Sequence, residues 1–214
     1  MMNSKILLSG VAGLLLSLSA VAAPKKYEAA SYAVDPMHSK VGFEIPHLVI
    51  SSVEGRFNTF EGTFDLNDTF TKSTFKTSVD VSSIDTGEKK RDEHLVSPDF
   101  FDAAKFPKMT FESSEIKGTA DAFKLTGNLT IHGVTKKVTF DGKYLGSVVD
   151  GYGNQKVAFH AKAKINRKDF GLAWSQAVEA GPVVGDTVEV SLNIQAGKPG
   201  KAAPAAPAAA PAKK

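Results

Sequence analysis

The five histidines of this 214-residue chain are His38, His47, His94, His132 and His160. No two of them lie two to four residues apart, so no local metal-ligand pair exists, and neither a metal nor a cofactor is expected. There is no Cys, no Gly-x-Ser-x-Gly, no His-Glu-x-x-His and no phosphate-binding glycine loop, and no catalytic residue is assigned. The densest polar cluster is Arg91-Asp92-Glu93-His94, preceded by Lys89 and Lys90. It reads in two ways. One is a solvated helix face, the usual meaning of a charge run. The other sets Arg91 and His94 at a pocket mouth as partners of an anionic head group. Asp92 and His94 are too close in sequence to face each other on a helix, which argues against a catalytic dyad.

Such a cluster needs elements to hold it, and the dominant period around it is two. Val157, Phe159, Ala161, Ala163 and Ile165 alternate with polar neighbours. So do Val188, Val190, Leu192 and Ile194; Val41, Phe43 and Ile45; and Leu125, Gly127, Leu129 and Ile131. Strands with one dry and one wet face read this way. Further strands are expected over 56–58, 60–66, 74–81, 109–117 and 136–145. The turns between them are placed at Asn67-Asp68, Lys117-Gly118, His132-Gly133 and Gly151-Tyr152-Gly153. About eight strands with short connections point to a closed antiparallel barrel or a sandwich.

The pattern breaks between Ile84 and Pro107. Asp85, three residues before Glu88, reads as the cap of a helix running through Leu95. Ser97-Pro98-Asp99 reads as the start of a second short helix carrying Phe100 and Phe101. Such an insertion must bury its phenylalanines, and the barrel mouth is the natural place. Phe is over-used, with 14 against four Tyr and one Trp. Small inward residues (Ala161, Ala163, Gly127) beside large ones (Phe43, Phe159) leave room for a tapered cavity.

The ends of the chain differ from its body. Lys5, the apolar run from Ile6 to Leu18 and Ala20-Val21-Ala22 make up a signal peptide, with cleavage after Ala22 and export to the periplasm expected. The run is too short to span a bilayer, which takes about 20 residues. From Lys198 to Lys214 there are eight Ala, four Pro, four Lys and one Gly, a composition with nothing to pack. That tail (197–214) is expected to be extended, with at most a weak contact between its lysines and a membrane surface. The formal charge of +3 is therefore carried by the ends: between Tyr27 and Ala196 there are 19 basic and 23 acidic residues. A mildly acidic body is not the footprint of a nucleic-acid binder. Without cysteines the expected domain, 23–196, relies on its core.

The chain resembles the YceI-like proteins, periplasmic lipocalin-like barrels associated with polyisoprenoid binding. The likeness covers nearly all of Tyr32 to Ala196. It rests on Val34-Asp35 with His38-Ser39, Gly55-Arg56-Phe57, Phe60-Glu61-Gly62, Ser83-Ile84-Asp85-Thr86 and Arg91-Asp92-Glu93-His94-Leu95. It continues through Ser97-Pro98-Asp99-Phe100-Phe101-Asp102, Phe106-Pro107, Thr110-Phe111, Gly127 to Thr135 and Arg167-Lys168-Asp169-Phe170-Gly171. What the resemblance implies is an all-β, eight-stranded antiparallel barrel with a short helical insertion at about residues 86–104. It also implies an apolar pocket for a long isoprenoid or fatty amphiphile, and no established catalysis. No set of ligand residues carries over, so the lining is assigned from alternation and from the insertion. It comprises Phe43, Ile45, Phe57, Phe64, Val79, Leu95, Phe100, Phe101, Phe111, Leu129, Phe159, Ala161 and Trp174. Head-group candidates are Arg91, His94 and Arg167. The expected function is binding, transport or sequestration of such a ligand by a monomer or homodimer. The alternatives are an enzyme acting on a prenyl phosphate and a stress-related structural protein with a filled core.

Overall fold

A computed structural model describes residues 27–178 and 181–198; the expected signal peptide and nearly all of the expected tail lie outside the described residues. Eight staves, three of them interrupted, run up and down in chain order. Stave β1 is Ala30–Val34 and Lys40–His47, broken by a 3-10 turn at Pro36–His38 that Asp35 caps. Stave β2 is Ser51–Phe57 and Phe60–Leu66, and β3 is Thr74–Asp80 and Ile84–Asp85. The others are β4 (Lys108–Thr119), β5 (Ala122–Ile131), β6 (Val134–Val149), β7 (Gln155–Asn166) and β8 (Thr187–Gly197). Each pairs antiparallel with the next, and β8 closes the ring on both halves of β1, through Ala33↔Gly197 and Leu192↔Val41. Closure pairs β1 and β8 on both sides, so neither outer stave is left as a free edge to recruit another chain.

The alternation read from the sequence is the one that folds. In β7, Val157, Phe159, Ala161 and Ala163 are buried while Lys162 and Lys164 face solvent. Several boundaries differ. Arg56 and Phe57 are the end of a longer strand from Ser51, with Asn58 beyond it, and Ala30–Val34 is a strand that its short, mixed sequence hides. Lys117-Gly118 is not a turn: the strand continues to Thr119 and the chain reverses at Ala120-Asp121. β8 reaches Gly197, one residue past the expected domain end. Gly127 opens no space, because the Phe111 ring fills the place of its missing side chain. A β-carbon there would stand 2.4 Å from Phe111 Cζ. Gly55 is covered in the same way by Phe43, its partner across the β1–β2 ladder.

The two ends of the barrel are unlike. One is stopped by aromatic rings: Tyr27 meets Phe70 at 5.9 Å and Tyr144 at 5.8 Å, and Phe70 meets Phe123 at 5.0 Å. The Tyr27 hydroxyl donates to the Asn67 carbonyl, and burial raises the Tyr27 phenol pKa. At the other end stand the loop at Leu48 to Ile50, the insertion after β3, the His132-Gly133 turn and the long connection from Arg167 to Asp186.

Candidate functional site

The insertion forms one helix, α1 (Lys89–Val96). Its cap is Glu88, whose carboxylate accepts from Lys90 N–H at 3.0 Å. Asp85, the cap expected from the sequence, instead accepts from Gly87 N–H and from Arg56 across the sheet. The second helix does not form. The chain folds back on α1, with Phe101 N–H donating to Leu95 O and Ala103 N–H to Val96 O, and Asp102 turns left-handed at φ 46°. The fold-back drives the phenylalanines into the barrel: Phe100 is buried, and Phe101 packs edge-on against Phe57 of β2.

Behind this cover lies a cavity of about 490 Å³, partly open to solvent and almost wholly apolar in its lining. A filled core is thereby excluded, and the volume falls in the range of small-molecule sites, about 300–1,000 Å³. All thirteen apolar positions assigned from the sequence line it: Phe43, Ile45, Phe57, Phe64, Val79, Leu95, Phe100, Phe101, Phe111, Leu129, Phe159, Ala161 and Trp174. Sequence reading missed Val34, Val41, Pro46, Met109, Val183 and Val190 among others. Val41 and Val190 were findable, since they alternate in phase with Phe43 and Leu192. Val183 sits in a connection without periodicity.

The polar groups concentrate at the mouth. Arg91 Nε donates to Thr86 Oγ1 at 2.7 Å and its Nη2 to Thr86 O at 2.8 Å, while the Thr86 hydroxyl donates to Asp92 at 2.6 Å. Arg91 is thus held by a relay, not a direct ion pair: no carboxylate in the described residues lies within 4.0 Å of it, or of Lys90. Both residues line the cavity, where Glu61 is the single acid. His94 stands edge-on to Phe100 (5.0 Å) and Trp174 (5.3 Å), with Nε2 3.0 Å from Asp99 Oδ2. The half-buried α1 face therefore belongs to the cavity, while Lys89 and Glu93 form the solvated face.

Arg167, the third head-group candidate, lines the cavity from a more buried position. It is 3% exposed and donates to Gly185 O, Leu172 O, Trp174 O and Asp186 Oδ1. Four of five N–H donors are spent on the connection it organises, so it fixes Trp174 while also lining the cavity. Asp186 is held below the usual carboxylate range, first by the hydrogen bond from Lys168, then by the Lys168 and Arg167 charges. No group of three or more His, Cys, Asp or Glu that could hold a metal ion is found among the described residues.

Comparison with known proteins gives the same architecture. A UPF0312 protein of Pseudomonas paraeruginosa is 38% identical over 170 residues, which cover 78% of this chain and 86% of the relative. Burkholderia cenocepacia BcnA superimposes with a TM-score of 0.67 at 25% identity, over 76% of this chain and 98% of that one. A polyisoprenoid binding domain from Saccharophagus degradans, implicated in plant cell wall breakdown, shares the fold alone at 16% identity. Its TM-score is 0.56, over 78% of this chain and 98% of that one. The model of the YceI-like domain matches residues 32–196, from within the first stave to one residue short of the end of the last, with the whole cavity between them: the chain belongs to the YceI-like family.

Proposed function

We propose that this protein is exported and binds one long-chain isoprenoid or fatty amphiphile, tail in the barrel and anionic head at Arg91, Lys90 and His94, as a carrier or sequestering protein. The observation that supports this reading is the cavity of about 490 Å³, almost wholly apolar, with two cations at its mouth that lack carboxylate partners among the described residues. The Saccharophagus degradans domain of the same fold is named for polyisoprenoid binding, which agrees with it. The energetics suit reversible carriage. Burying ten to fifteen methylenes at about 0.8 kcal/mol each gives roughly 8–12 kcal/mol. Association and chain ordering remove several kcal/mol, which leaves an affinity on the order of micromolar. A much longer tail would leave part of its length outside.

The test is native mass spectrometry and solvent extraction of protein purified from its exported form without detergent, followed by titration with prenyl and fatty probes. A copurifying lipid, or probe uptake near micromolar, is expected. Protein that is consistently empty and takes up neither probe class would end the proposal.

A further inference from the structure

The loop between the halves of the first hairpin does something its local sequence does not explain. Leu48 and Val49 hold left-handed backbone, with φ of 51° and 66°. Asn or Gly would take that conformation without strain, whereas a β-branched residue avoids it. Leu48 is half-buried, but Val49 gains little shelter in return at 65% exposed, and Ile50 beside it is 87% exposed. From Ile45 to Val53 there is no Asp, Glu, Lys or Arg. A second uncharged run, Gly181 to Gly185, lies alongside. Leu48 N–H donates to Val183 O, His47 bridges Val184, and a β-carbon on Gly181 would stand 3.2 Å from Val49 Cγ2. Pro46 and Pro182 are exposed on the same platform. The platform frames the cavity, because Pro46, His47, Val183 and Val184 line it from inside.

We infer that this tip, Val49 and Ile50 with Pro46 and Pro182 beside them, is a docking surface for a lipid bilayer, which it enters with the cavity mouth facing the membrane. Exposed apolar residues kept at a backbone cost mark a contact surface. The size of the patch selects the occupant. A stable protein interface takes about 20 to 30 residues on each side, and four side chains fall far short of what a second copy of this chain would need. A few apolar side chains pressed into the headgroup boundary make a reversible contact. The surface needs no bound ligand, so the inference goes beyond the proposed function, and the two can fail separately.

The absence of cysteine makes the test clean. Ile50→Cys and, at the opposite end of the barrel, Asp121→Cys each carry one environment-sensitive NBD label. On addition of phosphatidylethanolamine–phosphatidylglycerol vesicles, the label at 50 is expected to shift blue and brighten while that at 121 does not respond. In parallel the unlabelled protein is floated with the same vesicles, and Val49→Asn/Ile50→Ser is expected to lose roughly tenfold or more in binding. Asn suits the left-handed position, so this variant keeps its fold; its β-sheet circular dichroism should match the parent's. No response at 50, an equal response at 121, or flotation unchanged in the double variant would overturn the inference. So would a label response that follows protein concentration alone, with a doubled mass, because a second copy would then occupy the tip. Vesicle binding by protein that takes up no amphiphile would leave the tip standing and count against the carrier reading alone.

Discussion

Phe57 and Phe101 meet edge to face at 6.1 Å between ring centroids, and this pair joins the barrel wall to the insertion that covers it. Phe57 is 6% exposed in a strand, whereas Phe101 is half-buried in a fold-back with no regular structure. The cover thus hangs on side-chain packing and on the two backbone hydrogen bonds to the end of α1.

Phe101→Ala should therefore loosen the cover at moderate cost to the barrel. Full truncation of a buried Phe costs about 3–5 kcal/mol; this half-buried ring should cost about 1–2. Urea unfolding reads the stability, and the off-rate of a fatty probe, expected to rise, reads the cover. An unchanged off-rate with lowered stability would show that the insertion is only scaffold.

Ala161→Trp should fill the cavity from inside. Ala161 is 7% exposed and lines the cavity on β7. Overpacking costs about 1–3 kcal/mol, which a closed eight-stave barrel should withstand. Probe affinity should fall at least tenfold with the β-sheet circular dichroism unchanged. A folded variant that binds as before would place the ligand elsewhere.

Arg91→Gln separates head from tail. A charge-assisted hydrogen bond at a partly exposed rim is worth about 1 kcal/mol. Affinity for a fatty carboxylate should drop several-fold, while affinity for the matching alcohol stays constant. Equal losses for both would mean that Arg91 shapes the mouth without recognising charge.

Arg167→Met tests the opposite role. It would strip the buried Leu172 carbonyl and the half-buried Trp174 and Gly185 carbonyls of their donor, at about 1–3 kcal/mol for the buried group and less for the other two. A large fall in melting temperature is expected, whatever the ligand. A stable variant that loses only carboxylate binding would return Arg167 to the head-group site.

Stability should also fall in acid. Asp85 is held below its ordinary pKa of 3.8 by Gly87 N–H first, then by Asn58 and Arg56; Asp80 by Ser82 and Asp186 by Lys168. A carboxyl with a depressed folded pKa contributes stability that is fully present above its unfolded value and lost as pH falls through the folded one. Urea midpoints should thus hold steady from neutrality down to about pH 5 and fall from about pH 4 downward, less steeply in Asp186→Asn. A midpoint that rises on acidification would contradict these shifts.

What could be read from the sequence followed from what repeats in it. Period-two alternation gave β7 and β8 almost whole, and with them the inward positions, because one wet face and one dry face leave a residue little choice. Ala30–Val34 escaped notice because five mixed residues carry too little period. By residue type Asp85 and Glu88 fit the role of helix cap equally. Only the cross-sheet position of Arg56 assigns Asp85 to the barrel and leaves the cap to Glu88. The role of Arg167 depends on carbonyls from Leu172, Trp174 and Gly185, which no side-chain pattern announces.

The closure of β8 on β1 also governs when this barrel can exist. Every other pairing joins neighbours in the chain, so staves β1 to β7 can zip in order as a curling sheet with low contact order. The last seam joins the two termini and must wait for residues up to Gly197. Until then the outer edges of β1 and β7 stay unpaired and able to recruit other chains. A chain stopped before Thr187 would remain an open, aggregation-prone sheet, so the slow step of folding should be the meeting of the first stave with the last.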